Sequence, residues 1–63
     1  MKEFDVVRLL RDVDGISSGE TGTIVHTNVP NEHSVVEFCD DTGRTLGLLD
    51  LAAQDIEVVE EWR

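Results

Sequence analysis

The stretch SVVEFCDDTGRTLGLLDL, Ser34 to Leu51, decides the fold. Its first part, SVVEFC (Ser34–Cys39), puts Val36 and Phe38 on one face and Glu37 on the other, the period of two that a half-buried strand imposes. The DDTG that follows (Asp40–Gly43) has the composition of a type I turn closed by a left-handed glycine. RTLGLLDL (Arg44–Leu51) returns as the partner strand, with Gly47 at the kind of bend a small curved sheet needs. One hairpin, its register set by the turn, anchors the rest.

Upstream, TGTIVHT (Thr21–Thr27) is rich in β-branched residues and reads as a strand, with Gly22 marking a bulge or a close backbone approach. NVPNEH (Asn28–His33) links it to the hairpin as a turn, because Pro30 cannot donate to a ladder. Further back, FDVVRLL (Phe4–Leu10) alternates around an outward Arg8 so that Val7 and Leu9 turn inward. RDVDGISSGE (Arg11–Glu20), between these two strands, is polar and long and reads as a loop. Downstream, LAAQD (Leu51–Asp55) is too short for a stable helix and fits a single 3₁₀ turn. IEVVEE (Ile56–Glu61) is a fifth strand, and Trp62 and Arg63 end the chain.

Five short strands, hairpins in the middle and a helical turn before the last strand predict an all-β protein, a small five-stranded SH3-like barrel forming a single domain over residues 1–63. Its expected core is Val7, Leu9, Ile24, Val36, Phe38, Leu46, Leu48, Leu51, Ile56 and Val58.

Size and charge narrow the function. Folded chains this short bury only about 60% of the surface their unfolded form exposes, which leaves little interior for a substrate cavity and predicts a non-enzymatic protein. A single cysteine, Cys39, forms no internal bridge. No run approaches the roughly 18 apolar residues of a membrane span, and MKEFDVVRLL carries too many charges for a secretory signal, so a cytoplasmic chain is expected. The 63 residues hold 14 acids against 5 Lys and Arg, a net charge of −9, and residues 12 to 43 contain no Lys or Arg at all. Nucleic-acid affinity depends on cations that displace counterions from phosphate, so nucleic acid is disfavoured and a basic protein partner favoured. The residues expected to meet that partner are Glu20, Glu32, Glu37, Asp40 and Asp41, through electrostatic complementarity. Solubility is the plainer role of the same charge. Trp62 is either a lid over the barrel end, the preferred reading, or an exposed anchor for the partner.

Other chemistry finds little purchase. His26, His33 and Cys39 are the available soft metal ligands and with Asp40 would make a four-ligand set, but their spacings lack the close pairs of a zinc site, so no metal or other cofactor is expected. Cys39 sits beside Asp40 and Asp41, whose charge opposes the thiolate, and reads as a packed, inert thiol. The carboxylate pairs Asp12/Asp14, Asp40/Asp41 and Glu60/Glu61 lack a pocket that would drive two pKa values apart, so turn capping and solvation are their expected roles.

Taken in order, D-V-V-x-L-L-x-D at Asp5–Asp12, G-E-T-G-T-I-V at Gly19–Val25, V-V-E-F at Val35–Phe38, D-x-x-G at Asp40–Gly43 and L-x-x-x-D-I at Leu51–Ile56 resemble short bacterial proteins grouped as domain of unknown function 4926. The likeness spans nearly the whole chain. It implies an SH3-like barrel with no catalytic motif to transfer, often encoded beside toxin-like genes, and hence an antitoxin or immunity role toward a basic, toxin-like partner. In the first loop the family usually has a proline, where this chain has DVDGISS. The G-x-x-G-T-[IV]-V turn is also similar to SH3-like modules of ribosomal and transcription proteins, which gives an RNA-binding alternative. A fainter likeness to small subunits of photosynthetic electron-transfer complexes gives a third reading, an accessory subunit of a larger assembly. Pairing of an exposed barrel edge with a second copy would give a homo-oligomer.

Overall fold

The computed structural model describes residues 2–28, 33–40 and 42–61. Its strands are β1 (Val6–Leu9), β2 (Thr21–Asn28), β3 (His33–Cys39), β4 (Thr45–Ala52) and β5 (Ile56–Glu60), with a 3₁₀ turn at Ala53–Asp55 before the last. They form one antiparallel sheet in the order β4-β3-β2-β1-β5, as the alternation and turn residues predict. The 3₁₀ turn links the two edge strands covalently, and no described helix is long and apolar enough to cross a membrane.

The β3–β4 hairpin rests on the expected turn. Gly43, at φ 85°, donates its N–H to the Asp40 carbonyl at 3.0 Å, and the Asp40 N–H donates to the Arg44 carbonyl at 2.9 Å. The Asp40 carboxylate braces the same turn, its Oδ1 accepting from the Thr42 N–H (2.9 Å), the Thr42 hydroxyl (2.7 Å) and the Arg44 N–H (2.9 Å). Side-chain oxygens of Asp and Asn favour turns for this reason.

One face of the sheet holds the core. Val7, Leu9, Ile24, Val36 and Phe38 are fully enclosed, and Ile16, Leu49, Leu51 and Ile56 complete the cluster, with Val13 and Val58 packed against it. Each such side chain contributes roughly 1.5–3 kcal/mol by leaving water.

The structure corrects two expectations about this core. Leu46 and Leu48 lie on the outer face, 48% and 59% exposed, while Leu49 faces inward. Asp50 fixes the phase: a carboxylate kept in water turns its neighbours Leu49 and Leu51 to the core, and Leu48 goes out with Asp50. The residue facing inward opposite Phe38 is Gly47.

The connection from Arg11 to Glu20 is also more ordered than a polar loop. Val13 and Ile16 exchange backbone hydrogen bonds of 2.9 and 2.8 Å across Asp14 (φ 48°) and Gly15 (φ 84°). Positive φ at both central residues is the hairpin-favoured type I′ turn, for which Asp-Gly is a preferred pair. This miniature hairpin delivers Ile16 to the core, where it fills the space over Gly47. Asp12 holds its base by accepting from the Ser18 N–H at 2.7 Å.

Register shifts leave one extra residue in each of three strands: Val25 in β2, Leu46 in β4 and Val59 in β5. All three are apolar and exposed. At a bulge the strict alternation of faces is interrupted, which allows a hydrophobic residue to point outward without displacing its neighbours from the core.

Candidate partner-binding surface

The five residues paired across the outer face are Leu48 in β4, Glu37 in β3, Thr23 in β2, Val6 in β1 and Glu60 in β5. The rung directly beneath, Gly47, Phe38, Gly22, Val7 and Val58, faces the core. Two carboxylates therefore flank a centre of Thr23 and Val6, with the exposed Leu48 beyond Glu37.

Above that centre stands Phe4. Phe4 is 53% exposed and its backbone has φ 71°, a conformation that costs a bulky residue about 1–3 kcal/mol. The Phe4 N–H donates to the Ile24 carbonyl at 2.7 Å and the Ile24 N–H to the Asp5 carbonyl at 2.9 Å, which hold the segment against β2. Phe4, Val6, Thr23 and Glu60 together line an open hollow on this face.

Of the charged residues predicted to meet a partner, Glu20, Glu37 and Asp40 lie among the described residues. Glu37 is half-buried in the outer rung. Glu20 is exposed at the entry to β2, its N–H bonded to the Ser17 carbonyl at 3.2 Å and its own carbonyl accepting from Leu9 at 2.8 Å. Asp40 is half-buried in the turn, and the hydrogen bonds from Thr42 and then Arg44 hold its carboxyl below the usual carboxylate range. Glu32, Asp41 and Trp62 fall outside the described residues.

The cations are distributed differently. Arg8 Nη1 donates to Glu57 Oε1 at 2.7 Å, and Arg11 grips Asp55 through Nε to Oδ1 at 2.8 Å and Nη2 to Oδ2 at 3.3 Å. Asp55 is buried at the 3₁₀ turn, and its pairing with Arg11 lowers its pKa against the opposing effect of burial. Together with the Leu10 N–H to Asp55 carbonyl bond at 2.9 Å, this pair fastens the end of β1 to the start of β5.

The potential metal ligands do not converge: no group of three or more His, Cys, Asp or Glu able to hold an ion occurs among the described residues. His33 Nδ1 meets Asp50 Oδ1 at 3.0 Å, and His26 is exposed opposite Val35. Cys39, expected to pack, is exposed as a free thiol, because it alternates with the inward Phe38. Asp12 and Asp40 each brace a turn, as their loop positions predict.

Sequence reading overlooked Phe4, Val6, Thr23 and Glu60 as parts of one surface. The alternation in DVVRL does put Val6 opposite Val7, but only the pairing of β1 with both β2 and β5 brings the four together.

Fold and surface together define a small all-β protein built on one five-stranded antiparallel sheet. The family model described as Domain of unknown function (DUF4926) matches residues 3–58, and the chain belongs to that family. No curated protein and no solved structure matches the chain.

Proposed function

We propose that the chain is a non-enzymatic interaction module whose outer sheet face takes a basic protein partner. The observation that carries this reading is the rung Leu48–Glu37–Thr23–Val6–Glu60 on the outer face, where two carboxylates flank the half-buried Thr23 and Val6 and the exposed Leu48 lies beyond Glu37. An apolar centre with charges at its margin is the anatomy of a protein interface. The net charge of −9 speeds encounter with a cationic surface. Arg8 and Arg11, already held by Glu57 and Asp55, are poorly placed to neutralise phosphate, which weighs against nucleic acid.

On this reading the sheet closes as an SH3-like barrel and the protein works in a bacterial cytoplasm, as an antitoxin or immunity protein that masks a basic toxin. Affinity capture from the source cell, with mass spectrometry, tests it. The expected product is a basic protein whose affinity falls as salt rises, and falls further when Glu20, Glu32, Glu37 and Asp41 are changed together to Gln and Asn. Asp40 is left out of that set because it braces its turn. Affinity indifferent to both changes overturns the reading, and a gel shift with RNA or DNA at low salt would replace it with the nucleic-acid alternative.

A further inference from the structure

We infer that Glu37 is the anchoring contact of the outer face, a carboxylate that takes one arginine side chain of the basic partner within an apolar surround. The inference rests on the interaction-module reading and specifies which acid holds that partner once it has arrived.

Glu37 lies on β3, between β2 and β4. Thr23 and Leu48 are its partners across the two ladders, and Val35 and Cys39 are its outward neighbours along the strand. Cross-strand partners stand roughly 5 Å apart at Cβ, and alternate residues of one strand roughly 7 Å. None of these four neighbours is a cation. Leu48 is well exposed, and the exposed apolar residues Val25 and Leu46 stand two positions from Thr23 and Leu48 on the strands either side.

Glu37 is half-buried, and its carboxylate has no hydrogen bond or ion pair among the described residues. On the same face Asp50 is held by His33 at 3.0 Å and Glu57 by Arg8 at 2.7 Å. Residues 12 to 43 contain no Lys or Arg, so no such cation within that stretch competes for Glu37. Partial burial takes water from a charge without replacing it. A cation brought by the partner replaces it, and the surrounding apolar residues exclude the water that weakens a fully exposed pair. The exposed Glu20 and Glu60 then speed the encounter, while Glu37 sets how long the partner stays.

Arginine suits this position better than lysine. Its guanidinium is more weakly hydrated, forks onto both carboxylate oxygens, and follows a stem that can lie on Leu48 and Val35.

The test is a titration of the full chain, followed by amide chemical shifts, with a blocked Val-Thr-Arg-Thr-Val peptide and counterparts carrying citrulline or lysine in place of arginine. The expected result is saturable shifts concentrated at Thr23, Val35, Glu37, Cys39 and Leu48. Citrulline binds about tenfold more weakly, a loss of about 1.4 kcal/mol, and lysine several-fold more weakly. Glu37→Gln weakens the arginine peptide as much as citrulline does, whereas Asp14→Asn, which removes the same charge from the miniature hairpin, leaves it nearly unchanged. Leu48→Ala weakens it several-fold and decides the matter should Glu37→Gln fail to fold. Shifts spread evenly over Glu3, Asp14 and Glu20, shifts that do not saturate, or equal losses in Glu37→Gln and Asp14→Asn overturn the anchor. Lysine binding as well as arginine overturns the choice of side chain. Two further outcomes separate the anchor from the broader reading. A salt-dependent partner that leaves Glu37→Gln no faster than the native chain removes the anchor and leaves the module. A salt-indifferent partner removes the module, and the peptide titration then judges the anchor alone.

Discussion

Phe38 occupies the space that a side chain on Gly22 would need: a Cβ built on Gly22 would lie 2.9 Å from Phe38 Cδ1, 2.8 Å from Val36 Cγ1 and 2.7 Å from the Glu37 carbonyl oxygen. Phe38 is the largest fully enclosed side chain, and its cross-strand neighbours on both sides, Gly22 in β2 and Gly47 in β4, have no side chain. The ring thus lies against the bare backbone of β2 at Gly22, while Ile16 covers Gly47. The two glycines are not equivalent, because a Cβ on Gly47 would meet only Ile16 Cδ1, at an ordinary 3.8 Å.

Gly22→Ala should therefore destabilise the fold by about 1–3 kcal/mol, the usual penalty of overpacking, since the nearest obstacle is backbone that cannot swing away. Gly47→Ala should be neutral or stabilising by up to about 1 kcal/mol, through a less flexible unfolded chain. Urea denaturation of the two variants compares them directly. Equal midpoints would refute the asymmetry.

Ile16 lies in a segment whose composition is that of a solvated loop, yet it is buried with the core. Ile16→Ala should lower stability by about 2–5 kcal/mol, as for a core position. Leu48→Ala, on the exposed face, should change it by no more than about 0.5 kcal/mol. Thermal melts that rank the two the other way would mean that β4 faces inward with the opposite phase.

Two carboxylates make stability depend on acid. Asp40 and Asp55 have folded-state pKa values lowered, by Thr42 and Arg44 in one case and by Arg11 in the other. The unfolded chain then binds protons more readily than the native one, so this stability is present above the unfolded carboxylate pKa of about 3.9 and is lost as pH falls through the lower folded values. Urea midpoints should drop steeply below about pH 4 in the native chain and less steeply in D55N and D40N. Parallel pH profiles in all three would show that neither group carries the effect.

Salt should act in opposite directions on folding and on binding. Screening relieves repulsion among 14 acids and stabilises the free chain, while the same screening slows association with a cationic partner. Melting temperature and association rate, each followed from low to high sodium chloride, should therefore diverge. A partner whose association rate does not fall would not be using the acidic face.

Much of the architecture was legible because its determinants are local. The alternation in SVVEFC, the DDTG turn and the break at LAAQD fixed β3, its hairpin and the 3₁₀ turn to within a residue or two. The facing of β4 is ambiguous in the sequence, because LGLLDL contains leucines in both phases and only the polar Asp50 discriminates between them. The Asp14-Gly15 turn carried a clear hairpin signal between Val13 and Ile16, obscured by the serines and acids around it. Glu37 could be put outside from alternation alone. The hollow could not be read, because it joins Phe4, Thr23 and Glu60 through pairings distant along the chain, and the extra residue Val59 shifts one of those registers.

The surplus residues Leu46 and Val59 sit in β4 and β5, the two outermost strands. Each interrupts the even succession of backbone donors and acceptors along a rim, and an interrupted rim is a poor template for a neighbouring molecule to extend. The chain can thus display leucine and valine to water while remaining protected against end-to-end growth into fibrils, so a concentrated stock should keep its scattering low for days.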